Sequence, residues 1–379
     1  MKCFLKNSVV FLFFLLILNN SNLLSAKGND TIVEPNLQIE FRSSYGFIIC
    51  HHPEMKVFNA HFPLFELNLQ QATFGRKSWQ SKSNYPAVGV NLLYTGIGEQ
   101  PEIGRAFAII PNISFNCLKG ERHQINFKLG VGISYLTQTY DAVDNPKNTF
   151  IGSHFNAAIN IAVDYSYMIT KRFGASAFLG FTHFSNGSSR TPNNGINIVH
   201  GGIGLKGFIN EPKQRIAKQP FDNQQYNSWE KKNISFTFAF SYSQKDIDEY
   251  LGYGKSWSVY NIQVNAMKRL TEMSKIGVGI DLVYDMTDKE VLRQKGIGFT
   301  GIEILKPGVN AAYELTFGST SFIFNLGYHI AGKELCEGRA YQKLGITQNI
   351  WKGVFATISL TTHYAWADYI GFGIGYRIH

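Results

Sequence analysis

Along most of the chain, hydrophobic and polar residues alternate with a period of two. In 173–185 (FGASAFLGFTHFS) the odd positions hold Phe173, Ala175, Ala177, Leu179 and Phe181. The even positions hold Gly174, Ser176, Phe178, Gly180 and Thr182. One face is apolar throughout and the other is mixed and small. This spacing puts successive side chains on opposite faces of a strand, in two different environments. Such segments recur near 36–50, 58–71, 85–95, 103–117, 121–138, 153–169, 172–186 and 195–210. A second set runs near 232–243, 255–268, 274–285, 299–317, 319–330, 339–350, 353–364 and 367–379. The pattern predicts an all-β chain of about sixteen strands. Tight connections such as Lys119-Gly120, Thr170-Lys171, Gly318-Ser319 and Trp351-Lys352 alternate with longer ones such as 139–152 and 285–298. Short turns on one side and long loops on the other are the rhythm of a transmembrane antiparallel β-barrel, whose more apolar face meets lipid. On this reading the loop 187–194 faces the cell exterior.

The polar, basic stretch 211–231 interrupts the rhythm near mid-chain. It divides a first half, 27–210, from a second, 232–379. The halves share strand order and glycine pattern: residues 153–186 align with 339–367, placing Thr182-His183-Phe184-Ser185 beside Thr362-His363-Tyr364-Ala365. Two related eight-strand halves are therefore expected. One barrel of about sixteen strands would leave no sheet edge, and this closure is favoured; two tandem eight-strand barrels are the alternative.

The N-terminus reads MKCFLKNSVVFLFFLLILNNSNLLSA. Lys2 and Lys6 precede an apolar run, and Leu24-Ser25-Ala26 supplies small residues. This predicts a secretory signal peptide over 1–26, with Ala26 the last residue removed. Aromatic residues make up 14% of the chain and charged residues 17%, with 36 glycines, which suits strands that face lipid. The formal charge of +9 fits anionic partners such as lipopolysaccharide phosphates, or simply a basic surface. Cys50, Cys117 and Cys336 are an odd set without metal spacing and read as free wall residues. No nucleotide loop, metal cluster or nucleic-acid motif stands out, and the Gly-x-Gly pairs at 130–132 and 277–279 read as strand glycines.

The candidate chemistry lies in 178–197, FLGFTHFSNGSSRTPNNGIN. His183 and Ser185 share the parity of Leu179 and Phe181, which is the apolar face. On the next strand Asn197 shares the parity of Val199, Ile203 and Leu205. A His, a Ser and an Asn thus converge on the wall that should meet lipid, where strongly polar groups are costly and call for a reason. A channel would place them on the lumenal face. Ester hydrolysis needs a serine activated by a base, a third group to orient that base, and donors for the oxyanion. Ser185 and His183 fit the first two roles, and a third group must orient the imidazole. Asn186, Asn193 and the backbone near Gly187 are candidate donors. Asn194-Gly195 reads foremost as a turn. His51, His52 and His61 read as exposed histidines and His200 as a lumenal polar group. Tyr364, Trp366 and Tyr369 read as an interfacial aromatic girdle.

His183-x-Ser185-Asn186 followed by Pro192-Asn193-x-Gly195 resembles the signature of the outer-membrane lipid A 3-O-deacylases (PagL), and Gly152-Ser153-His154-Phe155-Asn156 resembles a family segment on the preceding strand. The resemblance covers about residues 85–210. It implies an eight-stranded barrel in the outer membrane of a Gram-negative bacterium. It also implies a His-Ser-Glu triad on the lipid-facing wall and removal of the 3-O-linked acyl chain of lipid A without a cofactor or metal. By position Ser185 would be the nucleophile and His183 the base, with Asn186 and Asn193 around the oxyanion site. This chain departs from the family at the triad acid, whose place falls on Asn197. Asp164, on the strand before, is a possible substitute. Opposite Ser185 the second half has Ala365, so His363 is expected to belong to no working site. The runner-up is a non-catalytic channel or lipopolysaccharide-binding barrel with a decayed site.

Overall fold

The alternating segments form the strands of the computed structural model, which describes residues 36–50, 53–58, 60–120, 122–210, 233–247, 255–335, 338–364 and 366–378. The first eight strands are β1 Asn36–Ile48, β2 His61–Ala72, β3 Ala87–Thr95, β4 Ala106–Lys119, β5 His123–Leu136, β6 Phe155–Met168, β7 Phe173–Ser185 and β8 Ile196–Phe208. The second eight are β9 Ile234–Asp246, β10 Ser256–Arg269, β11 Ser274–Asp285, β12 Leu305–Phe317, β13 Thr320–His329, β14 Ala340–Trp351, β15 Val354–His363 and β16 Trp366–Ile378. The expected segments match these to within a few residues, except at the start of β12, where a turn occupies 301–304. The expected signal peptide 1–26 and linker 211–231 lie outside the described residues, as do His51, His52, Cys336 and Ala365.

All pairings are antiparallel, and each set of eight closes on itself. β1 pairs with β8 from Gln38↔Phe208 to Ile48↔Ile198. β16 pairs with β9 from Phe372↔Tyr242 to Ile378↔Phe236. Two eight-stranded barrels thus replace the single larger one favoured above; the tandem closure is the one formed. Alternation reports which face is buried, but not where the last strand finds its partner. Eight strands already satisfy both edges and leave an interior that side chains fill. The chain divides into two compact units accordingly.

The first barrel is apolar outside and charged inside. Leu179, Ile203 and Leu205 on its wall are 72%, 70% and 69% exposed. Inside, Arg42 pairs with Glu40 at 2.9 Å and Asp164 at 3.2 Å, and Lys128 pairs with Glu66 at 3.1 Å. Charges held away from water are tolerated when paired in this way. His200 is lumenal as expected, with Nδ1 3.1 Å from Ser44 Oγ and Nε2 3.1 Å from Thr182 Oγ1. At the loop end the polar network gives way to an apolar cluster that includes Met55, Phe58, Phe62, Ile97, Phe150 and Phe184.

The second barrel follows the same plan. Asp281 accepts bonds from Lys343 Nζ at 2.7 Å, Asn310 at 2.6 Å and Tyr341 OH at 2.5 Å. Glu314 accepts one from Arg377 at 2.7 Å. At its loop end a helix, Met286–Gln294, begins where Asp285 accepts a bond from the Thr287 amide at 2.9 Å. Lys306 joins that helix to the mouth, 2.9 Å from Asp288. Here the expected girdle is corrected in part. Tyr364 and Trp366 are exposed, but Tyr369 is buried against Val259 and Val283. Tyr369 has the parity opposite to Trp366 and Phe372, which lie on the exposed face, so plain alternation along β16 already turns it inward.

A candidate active site on the outer wall

The site is built at the loop end of the β7–β8 hairpin. Ser185 is the last residue of β7, and His183 precedes it by two, so both project from the wall face. β8 supplies Asn197 directly opposite His183. The Asn197 Oδ1 lies 2.6 Å from His183 Nδ1. A carbonyl oxygen can only accept, so in this arrangement Nδ1 carries the proton and Nε2 is the unprotonated nitrogen.

The connecting loop folds back over the serine. Asn193 Nδ2 donates to Ser185 Oγ at 3.1 Å, and its Oδ1 accepts from the Asn186 amide at 3.0 Å. The Gly187 amide donates to Ser185 Oγ at 3.2 Å. Two N–H groups therefore converge on the hydroxyl, so donors lie beside the place where an ester carbonyl attacked by Oγ would come to rest. The Asn186 side chain plays a different part: its Nδ2 donates to Arg190 O at 2.8 Å and ties the loop together. Gly187 and Gly195 have φ of +60° and +73°. At Gly195 glycine is also a matter of space, because a Cβ there would stand 2.8 Å from His183 Cε1. The turn of this loop falls at Gly187-Ser188 and not at the expected Asn194-Gly195, which is irregular backbone; Gly195 abuts the imidazole.

Two alternatives close. Asp164 points inward, is 1% exposed, and bonds to Arg42, Asn126 and Ser166. It cannot reach the wall, so Asp164 is no substitute for the triad acid, and Asn197 is the residue placed against His183 Nδ1. His363 also departs from its aligned counterpart, because it faces the lumen. Its Nδ1 donates to Ala340 O at 2.9 Å, and its Nε2 lies 3.4 Å from Asp368. His183 and His363 thus occupy opposite faces of their strands, and the alignment of the halves does not carry over to side-chain direction.

The wall beside the serine was not singled out from sequence. Ala157 of β6 pairs with Ser185, and Ile133 of β5 pairs with Ala157. From there an apolar trough of about 530 Å³ indents the outer wall, lined by Ile133, Tyr135, Phe155, Phe107, Ile109 and Leu92 among others. The shared outward parity of these strands was the signal for it. Among the described residues, no cluster of His, Cys, Asp and Glu could hold a metal ion.

Residues 64–206 match the family model described as lipid A 3-O-deacylase (PagL). Residues 232–379 match the model described as acyloxyacyl hydrolase, C-terminal domain. The two matches together take in most of the chain. This chain belongs to the PagL family. The PagL match extends the resemblance read over 85–210 back into β2 and contains His183, Ser185, Asn186, Asn193 and Asn197. No curated protein matches. Among solved structures, Neisserial surface protein A aligns with 45% of this chain and 96% of its own, at 8% identity and a TM-score of 0.32. A triple mutant of the Rhodopseudomonas blastica porin aligns with 91% of this chain and all of its own, at 8% identity and a TM-score of 0.18.

Proposed function

We propose that the chain is an outer-membrane serine esterase of a Gram-negative bacterium, which removes the 3-O-linked acyl chain from lipid A. The observation that carries this reading is the 2.6 Å contact between His183 Nδ1 and Asn197 Oδ1 on the lipid-facing wall, two residues from Ser185. Polar groups on that wall need a purpose, and in this tautomer Nε2 is the nitrogen that can act as a base. The ester of a lipid lies between headgroup and acyl chain. Ser185 has the matching place, at the end of β7 where apolar wall meets polar loop.

In the reaction, Ser185 Oγ attacks the ester carbonyl and His183 Nε2 takes its proton. Asn193 Nδ2 and the Gly187 amide meet the oxyanion. His183 then returns the proton to the leaving sugar hydroxyl, and the acyl group stays on Ser185. Water, deprotonated by His183, frees the fatty acid and regenerates the serine. The acyl chain passes over the small Ala157 into the trough, which seats it in apolar surroundings. The lumens favour this reading over a channel, because both are filled by paired polar side chains. The signal peptide read at 1–26 supplies the export step.

The test is to incubate the purified protein with lipid A and record product masses beside Ser185→Ala. Loss of one hydroxyacyl chain, abolished in the variant, is expected. Unchanged lipid A with a folded wild-type barrel would overturn the proposal.

A further inference from the structure

The β5–β6 loop runs against the loop that carries the site. The Gly195 amide donates to Phe150 O at 3.0 Å. The Asn194 side-chain amide donates to Thr149 O at 3.0 Å. Gly152 packs so closely that a Cβ there would stand 2.5 Å from Thr191 O. Three contacts thus hold Thr191, Asn194 and Gly195 to one short segment, Thr149–Gly152. That segment is itself anchored. Phe150 and Ile151 are fully buried in the apolar cluster at the loop end, where the Phe150 ring meets Phe58 edge-on at 5.4 Å. Asn148 fixes the approach, donating to Glu102 O at 2.9 Å and accepting from the Phe150 amide at 3.2 Å.

The consequence lies on the other side of Gly195. Its backbone abuts His183 Cε1, while Asn197 holds Nδ1 from β8. The imidazole is therefore fixed from two sides, and one of them is only as firm as the Phe150–Gly195 bond. Asn193, which serves Ser185, lies in the same five-residue stretch. The site's loop is short and lacks regular secondary structure, and the apolar cluster is the rigid body within its reach. A misplacement of about 1 Å at a reacting group can cost about 100-fold in rate, so a support of this kind acts on catalysis more than on folding.

We infer that Thr149–Gly152 is a positioning element of the Ser185 site, and that Asn194 is the link through which it sets the placement of His183 and Asn193. The inference rests on the esterase reading given above. The Asn194 link can be cut without touching the barrel, since it is one side-chain bond between two loops.

The experiment uses the full chain, folded in detergent, with fluorophosphonate labelling of Ser185 and steady-state hydrolysis of a short-chain ester. Asn194→Asp keeps the shape but loses the donor; Asn194→Gln keeps a donor. Asn194→Asp is expected to slow labelling and lower kcat by about tenfold or more with KM within about twofold, because the displaced groups act in the transition state. Asn194→Gln should recover much of the loss. Gly152→Val, which presses on Thr191, should reproduce the Asn194→Asp effect; if it does not fold, the Asn194 pair alone decides. Equal labelling rates in wild type, Asn194→Asp and Asn194→Gln would overturn the inference while leaving the esterase reading intact. Absence of Ser185 labelling in wild type, judged against Ser185→Ala, would instead remove the esterase reading itself.

Discussion

Asn197 decides how strong an enzyme this wall can make. A carboxylate in its place would stabilise the imidazolium that forms when Ser185 gives up its proton; an amide only orients the ring. Asn197→Asp keeps the size and the accepting oxygen and adds the charge. We predict that it raises kcat for ester hydrolysis by about tenfold, corresponding to about 1.4 kcal/mol of transition-state stabilisation. Asn197→Leu, which removes the acceptor facing His183 Nδ1, should lower kcat by about 100-fold or more, because the proton is no longer held on that nitrogen. Steady-state rates on one ester substrate check both. A rate in Asn197→Leu equal to wild type would mean that the 2.6 Å contact has no part in the chemistry. The His183, Ser185 and Asn197 constellation was legible in the sequence because parity alone puts these residues on one face. The trough was not, because it depends on which strands adjoin β6 and on the small Ala157 between them.

At the scale of elements, strand positions followed from alternation, whereas local departures from it did not. The shift between Thr361 and Thr362 leaves Asp368 as an extra residue that is buried, although it shares the parity of Trp366 and Phe372 on the exposed face. The helix Met286–Gln294 lay inside a segment read as a loop, although Asp285 ahead of Thr287 is an N-cap signal. That helix carries a titratable group with a measurable consequence. Burial and the like charge of Asp285 push the Asp288 carboxyl up to about 7, against the pull of Lys306. Lys306 Nζ is only 2.9 Å away, but it is shared with Asp285 at 3.5 Å, so its pull does not prevail. An unfolded Asp titrates near 3.9. Between about pH 4 and pH 7 the native chain therefore keeps a proton that the unfolded chain releases, and this group's contribution to stability falls as pH rises through that window. Asp288→Asn cannot ionise and should escape the fall. The prediction is that the variant gains on wild type by a few kcal/mol between pH 4 and pH 7.5 in denaturant unfolding. A difference independent of pH would show that Asp288 is not held protonated.

For the molecule as a whole, closure is the fact that alternation could not supply, and it has a functional corollary. Strand pairing joins β8 to β1 and β16 to β9, so each barrel satisfies its own edges. Among the described residues the Ser185 site draws on the first barrel: His183, Ser185 and Asn197 come from β7 and β8, and the contacts of Asn194 come from a loop of the same barrel. The second barrel has its own internal anchor in Asp281, which holds Lys343, Asn310 and Tyr341. Removing one partner of a buried ion pair leaves the other uncompensated and costs about 3–5 kcal/mol. Asp281→Ala should therefore destabilise the second barrel by about that amount in denaturant unfolding. Under conditions where the variant is still folded, ester hydrolysis should stay within about twofold of wild type, since among the described residues each strand pairs within its own barrel. A large loss of activity in folded Asp281→Ala would mean that the second barrel supports the chemistry by some route other than strand pairing, and the site could no longer be assigned to the first barrel by itself.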